Sequence, residues 1–305
     1  MRILEPTIEN VTLAAEAIRS GDLVGMPTET VYGVAADATN RAAVLRTFEA
    51  KGRPADNPLI VHVAHLQQLD GLVMEFPDRA QRLAERFWPG PLTLILPKRT
   101  EVSDEVTGGL GTIAVRIPNH PVALRLIDFS GVPISAPSAN LFMGLSPTRA
   151  EHVDPALGDR LAMVLDGGPC EIGLESTVVD LSGEQPRLLR PGGISRAEVE
   201  EVLGVSLGAP VQGERKSPGL YLRHYAPKSP VRIVDQLGSQ EPGIAFESAG
   251  DHQIALSRSP REYGVSLYAA LHRLDAEGYS EIVIEAPPRD AGWEAVWDRL
   301  RRVVG

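Results

Sequence analysis

At 305 residues with 43% hydrophobic side chains, the chain has material for one large domain or two modest ones, each with a real core, and is no small stapled module. Its single cysteine, Cys170, excludes an internal disulfide and any cysteine-rich zinc site and fits a reducing compartment, so a cytoplasmic location is expected. The net charge of -10 counts against a broad electrostatic footprint on nucleic acid, no apolar run approaches the length of a bilayer span, and the N-terminal MRILEPTIEN lacks the features of a signal peptide.

From about residue 8 to 204, short apolar runs alternate with helical patterns, which predicts mixed α/β structure. VTLAAEAIRSG has helical spacing and stops at Gly21, a suitable C-cap, and LVGMP follows as a strand. Asn40 can cap RAAVLRTFEAK, whose Val44, Leu45 and Phe48 share one face and which ends at Gly52. Lys51 and Arg53 therefore straddle a helix C-terminus. Further strands are predicted at LIVHV, LTLILP, TIAVRIP, LAMVLDGG and STVVDL, with helices over 77–88 and 120–129, and Ser195 and Glu198 form a capping box for the last helix of this region.

Residues 205–230 lose all periodicity and are rich in Gly, Pro and Ser, a linker by composition. Two tyrosines, a histidine and several cations equip it for more than spacing, such as closing over a site. From 231 to 305, VRIVD, GIAFE, HQIALS and EIVIEAP read as strands and 260–277 and 292–303 as helices, which predicts a smaller, Rossmann-like, mostly parallel α/β domain. Trp293 and Trp297, four residues apart, read as part of its core.

The common nucleotide and catalytic signatures are missing: there is no Walker loop, dinucleotide fingerprint, H-E-x-x-H or nucleophile elbow. Three polar clusters stand out instead, each with a structural reading beside a functional one. PTETVYG, residues 27–33, can be a strand-to-helix loop whose hydroxyls satisfy local backbone. Lys51 and Arg53 can be solvated charges at a helix end, but Asn57 and His62 strain that reading, since an imidazole within an apolar strand needs a partner. ISAPSANLFMGLSPT, residues 134–148, can be a turn or a cradle of hydroxyls and backbone amides for phosphate. Arg116 and Arg190 are each set in an apolar strand close before a proline, where a guanidinium needs an anion; an internal carboxylate or a ligand would serve.

PTETVYG, the K-x-R of Lys51 to Arg53, NPLIVHV and the S-x-N of Ser138 to Asn140 together resemble the YrdC-like family, and SPGLYLRHYAPKSP plus a second α/β domain resembles its two-domain form, the threonylcarbamoyl-adenylate synthases. That resemblance implies a twisted, open, mixed sheet with helices around a deep basic cavity in a catalytic domain of residues 1–204, then a linker or lid over 205–230. It implies condensation of L-threonine, bicarbonate or CO2, and ATP into threonylcarbamoyl-adenylate with release of pyrophosphate, Mg2+ accompanying ATP, and onward transfer by a partner transferase to tRNA. By matching motifs it implies a threonine side of Thr30, His62, Arg116, Ala136 and Ser176. The implied ATP side is Lys51, Arg53, Asn57, Thr112, Ser138, Asn140, Ser146 and Arg190, with Tyr225 reaching back from the linker, and Lys51 and Arg53 carry the catalytic charge. Two other readings fit the sequence less well: a non-enzymatic RNA-binding module, which the acidic balance opposes, and a carbamoyl-transfer protein of hydrogenase maturation, for whose zinc fingers one cysteine leaves no room.

Overall fold

The computed structural model of the chain describes residues 1–210, 224–247 and 250–304. After β1 (Ile3–Leu4), α1 (Ile8–Arg19) begins earlier than its apolar pattern because Thr7 caps it, the Thr7 hydroxyl accepting from the Asn10 amide at 3.2 Å. Ser20 closes the helix and Gly21, at φ 84°, takes the left-handed turn. β2 (Val24–Met26) and β3 (Gly33–Asp37) pair antiparallel around the PTETVYG turn. The sequence reading does not place β3, and the reason is physical: GVAAD is buried end to end, so it shows no alternation of apolar and polar side chains. α2 (Arg41–Lys51) has the expected caps, with Asn40 Oδ1 accepting from the Ala42 and Ala43 amides and Gly52 left-handed at φ 61°.

The rest of the first domain comprises β4 (Ile60–His62), α3 (Asp78–Phe87), β5 (Leu92–Pro97), the single turn α4 (Asp104–Thr107), β6 (Thr112–Arg116), α5 (Pro121–Ser130), β7 (Ile134–Ser135), β8 (Met163–Leu165), β9 (Thr177–Asp180), β10 (Arg187–Arg190) and α6 (Arg196–Leu203). The ten strands form one open mixed sheet in the order β1-β8-β2-β3-β7-β4-β6-β5-β9-β10. Neighbours β4 and β6 run parallel with His62 opposite Arg116, and β4 meets β7 antiparallel with His62 opposite Ile134. One core lies under α1 and α5, built on Val11, Ile18, Leu126 and Ile134, and a larger one gathers Phe48, Leu83, Leu94, Val115 and Val199.

The second domain is built from β11 (Val231–Val234), β12 (Gly243–Ala245), β13 (Gln253–Ala255), α7 (Pro260–Ala276), β14 (Ile282–Glu285) and α8 (Glu294–Val304). Its sheet is parallel throughout, in the order β11-β14-β12-β13. Trp293 and Trp297 are both buried in its core. That core also takes in Val31, Leu145, Leu174 and Tyr225, so the two domains share apolar packing. Gly173, at φ 74°, marks how close they come: a Cβ there would lie 2.5 Å from the Val265 carbonyl oxygen of α7. Of the predicted linker, residues 211–223 lie outside the described residues.

Candidate active site

At the end of the β4–β6 pair a cavity of about 50 Å³ opens between the first domain and the returning chain at His224 and Tyr225. Its wall brings together nine of the residues singled out from sequence. Thr30 comes from the turn between β2 and β3, Arg53 from just beyond α2, His62 from β4 and Arg116 from β6. Ala136 and Ser138 follow β7, Ser176 precedes β9, Arg190 ends β10, and Tyr225 closes the cavity from the linker end. All except Ala136 and Ser138 are buried. Buried groups of this kind are tolerated only when hydrogen-bonded or paired, and most are.

Arg116 is the most heavily held. Its Nη2 forms an ion pair with Glu29 Oε1 at 2.6 Å, its Nη1 donates to the Thr30 hydroxyl at 3.0 Å, and its Nε donates to the Gly90 carbonyl at 3.0 Å. The internal carboxylate foreseen as one alternative for this arginine therefore exists, and Arg116 still faces the cavity. Arg190 donates from Nε to the Ser176 carbonyl at 3.0 Å and from Nη2 to its hydroxyl at 3.1 Å, while Ser176 also meets the Thr93 hydroxyl at 2.7 Å. Arg53 donates to the Pro58 carbonyl at 3.0 Å. Burial, reinforced by the Arg116 charge, pushes the pKa of His62 down to about 3, so the imidazole is neutral; its Nδ1 has no hydrogen-bond partner among the described residues.

Five expected site residues are not on this wall. Lys51 is buried behind it, its ammonium donating to the carbonyls of Ser138 and Asn140, and its pKa is lowered by burial and then by Arg53. It thus clamps the S-x-N loop from beneath. Asn140 holds the same loop through Nδ2, at 2.7 Å from the Leu141 carbonyl and 2.9 Å from that of Gly144. Asn57 is buried beside Arg53, with Nδ2 lacking a partner among the described residues. Ser146 lies one contact deeper and donates to Glu175 at 2.5 Å. Thr112 sits at the far end of β6 from Arg116, paired with Pro97.

Glu175, Thr28 and His224 line the cavity as well, and Glu29 backs Arg116; Thr28 and Glu29 lie within the PTETVYG cluster and His224 is the linker histidine, so only Glu175 falls outside every stretch singled out from sequence. For Glu175 the available signal is a lone carboxylate in GLEST at the entry of an apolar strand, which must find a partner once buried. Burial drives the pKa of His224 down to about 3 as well. The Cys170 thiol is raised by burial and lies among apolar neighbours, consistent with a structural role. Among the described residues no group of three or more His, Cys, Asp or Glu could hold a metal ion.

Two family models match the chain in tandem. One, for the Sua5, YciO and YrdC proteins and described as telomere recombination, covers residues 16–192; the other, described as threonylcarbamoyl-AMP synthase, C-terminal domain, covers 194–305. The threonylcarbamoyl-AMP synthase of Pyrococcus abyssi is 43% identical over 97% of this chain and 94% of its own, and that of Bacillus subtilis 43% identical over 97% and 93%. The crystal structure of P. abyssi Sua5 complexed with L-threonine superposes with a TM-score of 0.89 at 40% identity, covering 99% of this chain and 96% of that one.

Proposed function

The chain belongs to the Sua5, YciO and YrdC family in its two-domain, threonylcarbamoyl-AMP synthase form, and from that membership we propose how its cavity works. The reaction condenses L-threonine, bicarbonate or CO2, and ATP to L-threonylcarbamoyladenylate and pyrophosphate, the first step of threonylcarbamoyladenosine formation in tRNA. The observation that carries the reading is the convergence of Arg53, Arg116 and Arg190 with His62, Thr30, Ser138 and Ser176 in one buried cavity.

The chemistry explains the convergence. The threonine amine captures CO2 to give a carbamate, and a carbamate oxygen then attacks the α-phosphorus as pyrophosphate leaves. Two anions must approach each other, so fixed cations and preorganised donors supply the main catalytic need. Arg116, oriented by Glu29 and Thr30, takes the threonine carboxylate, with His62, Ala136 and Ser176 beside it. The Glu29 charge behind it means that this side offers directed donors rather than net charge, which suits a zwitterion. Arg53, Ser138 and Arg190 face the phosphates, while Lys51, Asn57, Asn140 and Ser146 hold that side in shape from behind.

Magnesium enters this reading only as the ion carried by the triphosphate, because the described residues offer no cage for it and the one wall carboxylate, Glu175, is already engaged. Direct capture of tRNA is not part of it; the adenylate passes to a transferase. His224 and Tyr225 line the cavity from the linker end, so they are the side chains to move aside as substrates enter. No helix of the described residues is long and apolar enough to cross a membrane. The test is pyrophosphate release from ATP, expected only when threonine and bicarbonate are both present; release indifferent to threonine would defeat the assignment.

A further inference from the structure

Glu175 is the one acid on the cavity wall among the described residues, 6% exposed and facing the space assigned to a triphosphate. An unmatched carboxylate there would repel the nucleotide or pair with a cavity arginine. Both its oxygens are filled instead. Oε1 accepts from the Ser146 hydroxyl; Oε2 accepts from Arg299 Nε at 2.7 Å and from the Tyr268 hydroxyl at 3.2 Å. Arg299 and Tyr268 belong to α8 and α7 of the second domain, and Arg299 is fully buried.

The same guanidinium reaches further. Its Nη1 donates to the carbonyl of Pro191, the residue after Arg190, at 3.1 Å, and its Cζ lies 5.3 Å from the centre of the Tyr225 ring. Asp298 Oδ2 holds it at 2.6 Å, and Arg302 holds Asp298 Oδ1 at 2.9 Å. Charges thus alternate outward from the cavity through Glu175, Arg299, Asp298 and Arg302. Burial opposes ionisation of Glu175, yet Arg299, then Arg190 and the Ser146 bond, hold its pKa below the ordinary carboxylate value.

We propose that Arg299 is a positioning residue for the nucleotide side of the cavity: it neutralises Glu175, so that this carboxylate does not compete with the triphosphate for Arg190, and it fixes the backbone beside Arg190. The proposal rests on the reading of the cavity as an ATP site. It gives the C-terminal domain a direct electrostatic part in nucleotide binding, with no contact to substrate.

The test compares Arg299→Met with the double variant Arg299→Met/Glu175→Gln in the full chain, reading ATP and threonine dissociation constants, pyrophosphate release and melting temperature. Arg299→Met is expected to weaken ATP about tenfold while threonine changes by less than about twofold, and removal of the Glu175 charge should restore ATP affinity to within about threefold. A merely structural role would lower both affinities together and would gain nothing from the second substitution. Unchanged ATP affinity in folded Arg299→Met, or a double variant as weak as the single, would overturn the proposal. If the single variant does not fold, the double variant decides by the same threshold; if neither folds, Arg299→Lys, which keeps the charge, must bind ATP within about threefold of wild type, and a tenfold loss overturns the proposal. Loss of threonine-dependent pyrophosphate release in the wild-type protein would instead count against the enzyme assignment, leaving the ATP binding series interpretable.

Discussion

Lys51 directs its ammonium at the carbonyls of Ser138 and Asn140, whereas Arg53, on the far side of Gly52, faces the cavity. Substituting them should therefore have different consequences. Lys51→Ala leaves the buried Asn140 carbonyl without a donor and the Ser138 carbonyl with only the Asn140 amide at 3.0 Å, at about 1–3 kcal/mol, so stability should fall together with activity. Arg53→Ala removes charge next to the reacting groups and should cut kcat/KM by about a hundredfold, and loss of its bond to the Pro58 carbonyl should cost about 1–3 kcal/mol of stability. Urea unfolding beside pyrophosphate release checks both, and a folded Arg53→Ala variant with wild-type kcat/KM would contradict this division. The K-x-R spacing was legible in the sequence because a glycine cap between two cations is a local pattern. Which cation lines the wall was not, since that depends on where a loop some ninety residues later comes to rest, as do the pairings of Arg116 with Glu29 and of Arg299 with Glu175.

At the scale of elements, helices with both amphipathic spacing and caps are readable to within a residue or two: α2 between Asn40 and Gly52, α6 behind the Ser195–Glu198 box, α7 from Pro260. β3 and the two-residue strand β1 escape because buried or very short strands carry no period, although they hold the middle of the sheet and one edge. The re-entry of the linker is another such case. Tyr225 is left-handed at φ 59°, Met143 at φ 73°, and the Ala226 amide donates to the Met143 carbonyl at 3.0 Å. A bulky residue in that region costs about 1 kcal/mol or more and persists only when its surroundings enforce it, here through the Tyr268 ring and the Arg299 guanidinium. Under the proposed function, the Tyr225 side chain is the cover over a hydrolysable mixed anhydride. Tyr225→Ala should raise the pyrophosphate released per threonylcarbamoyl-adenylate recovered by about threefold or more, by admitting water. A ratio equal to wild type would remove Tyr225 from that role.

For the whole molecule, buried histidines set the response to pH, two of them on the wall of the cavity. His62 and His224 both have folded-state pKa values of about 3, because burial disfavours the imidazolium and cavity cations add to the effect. In the unfolded chain each titrates near 6.5. A depressed pKa contributes its full stability above the unfolded value and loses it as pH falls toward the folded one, since between pH 6.5 and about 3 the unfolded chain binds more protons. Each histidine should therefore remove about 1.4 kcal/mol per pH unit through that window. Glu175 and Asp298, whose pKa values are lowered in the folded chain, act in the same direction once carboxylates begin to protonate. Unfolding free energy from urea titrations should be level between pH 7.5 and 6.5 and decline steadily from 6.5 to 4.5, before the carboxylates can account for the loss. Because burial also lowers the pKa values of His120, His152 and His272, His62→Asn should remove only part, less than half, of the decline in the upper part of that window; a level profile in the wild-type protein down to pH 5 would mean that these imidazoles accept protons without opening the fold.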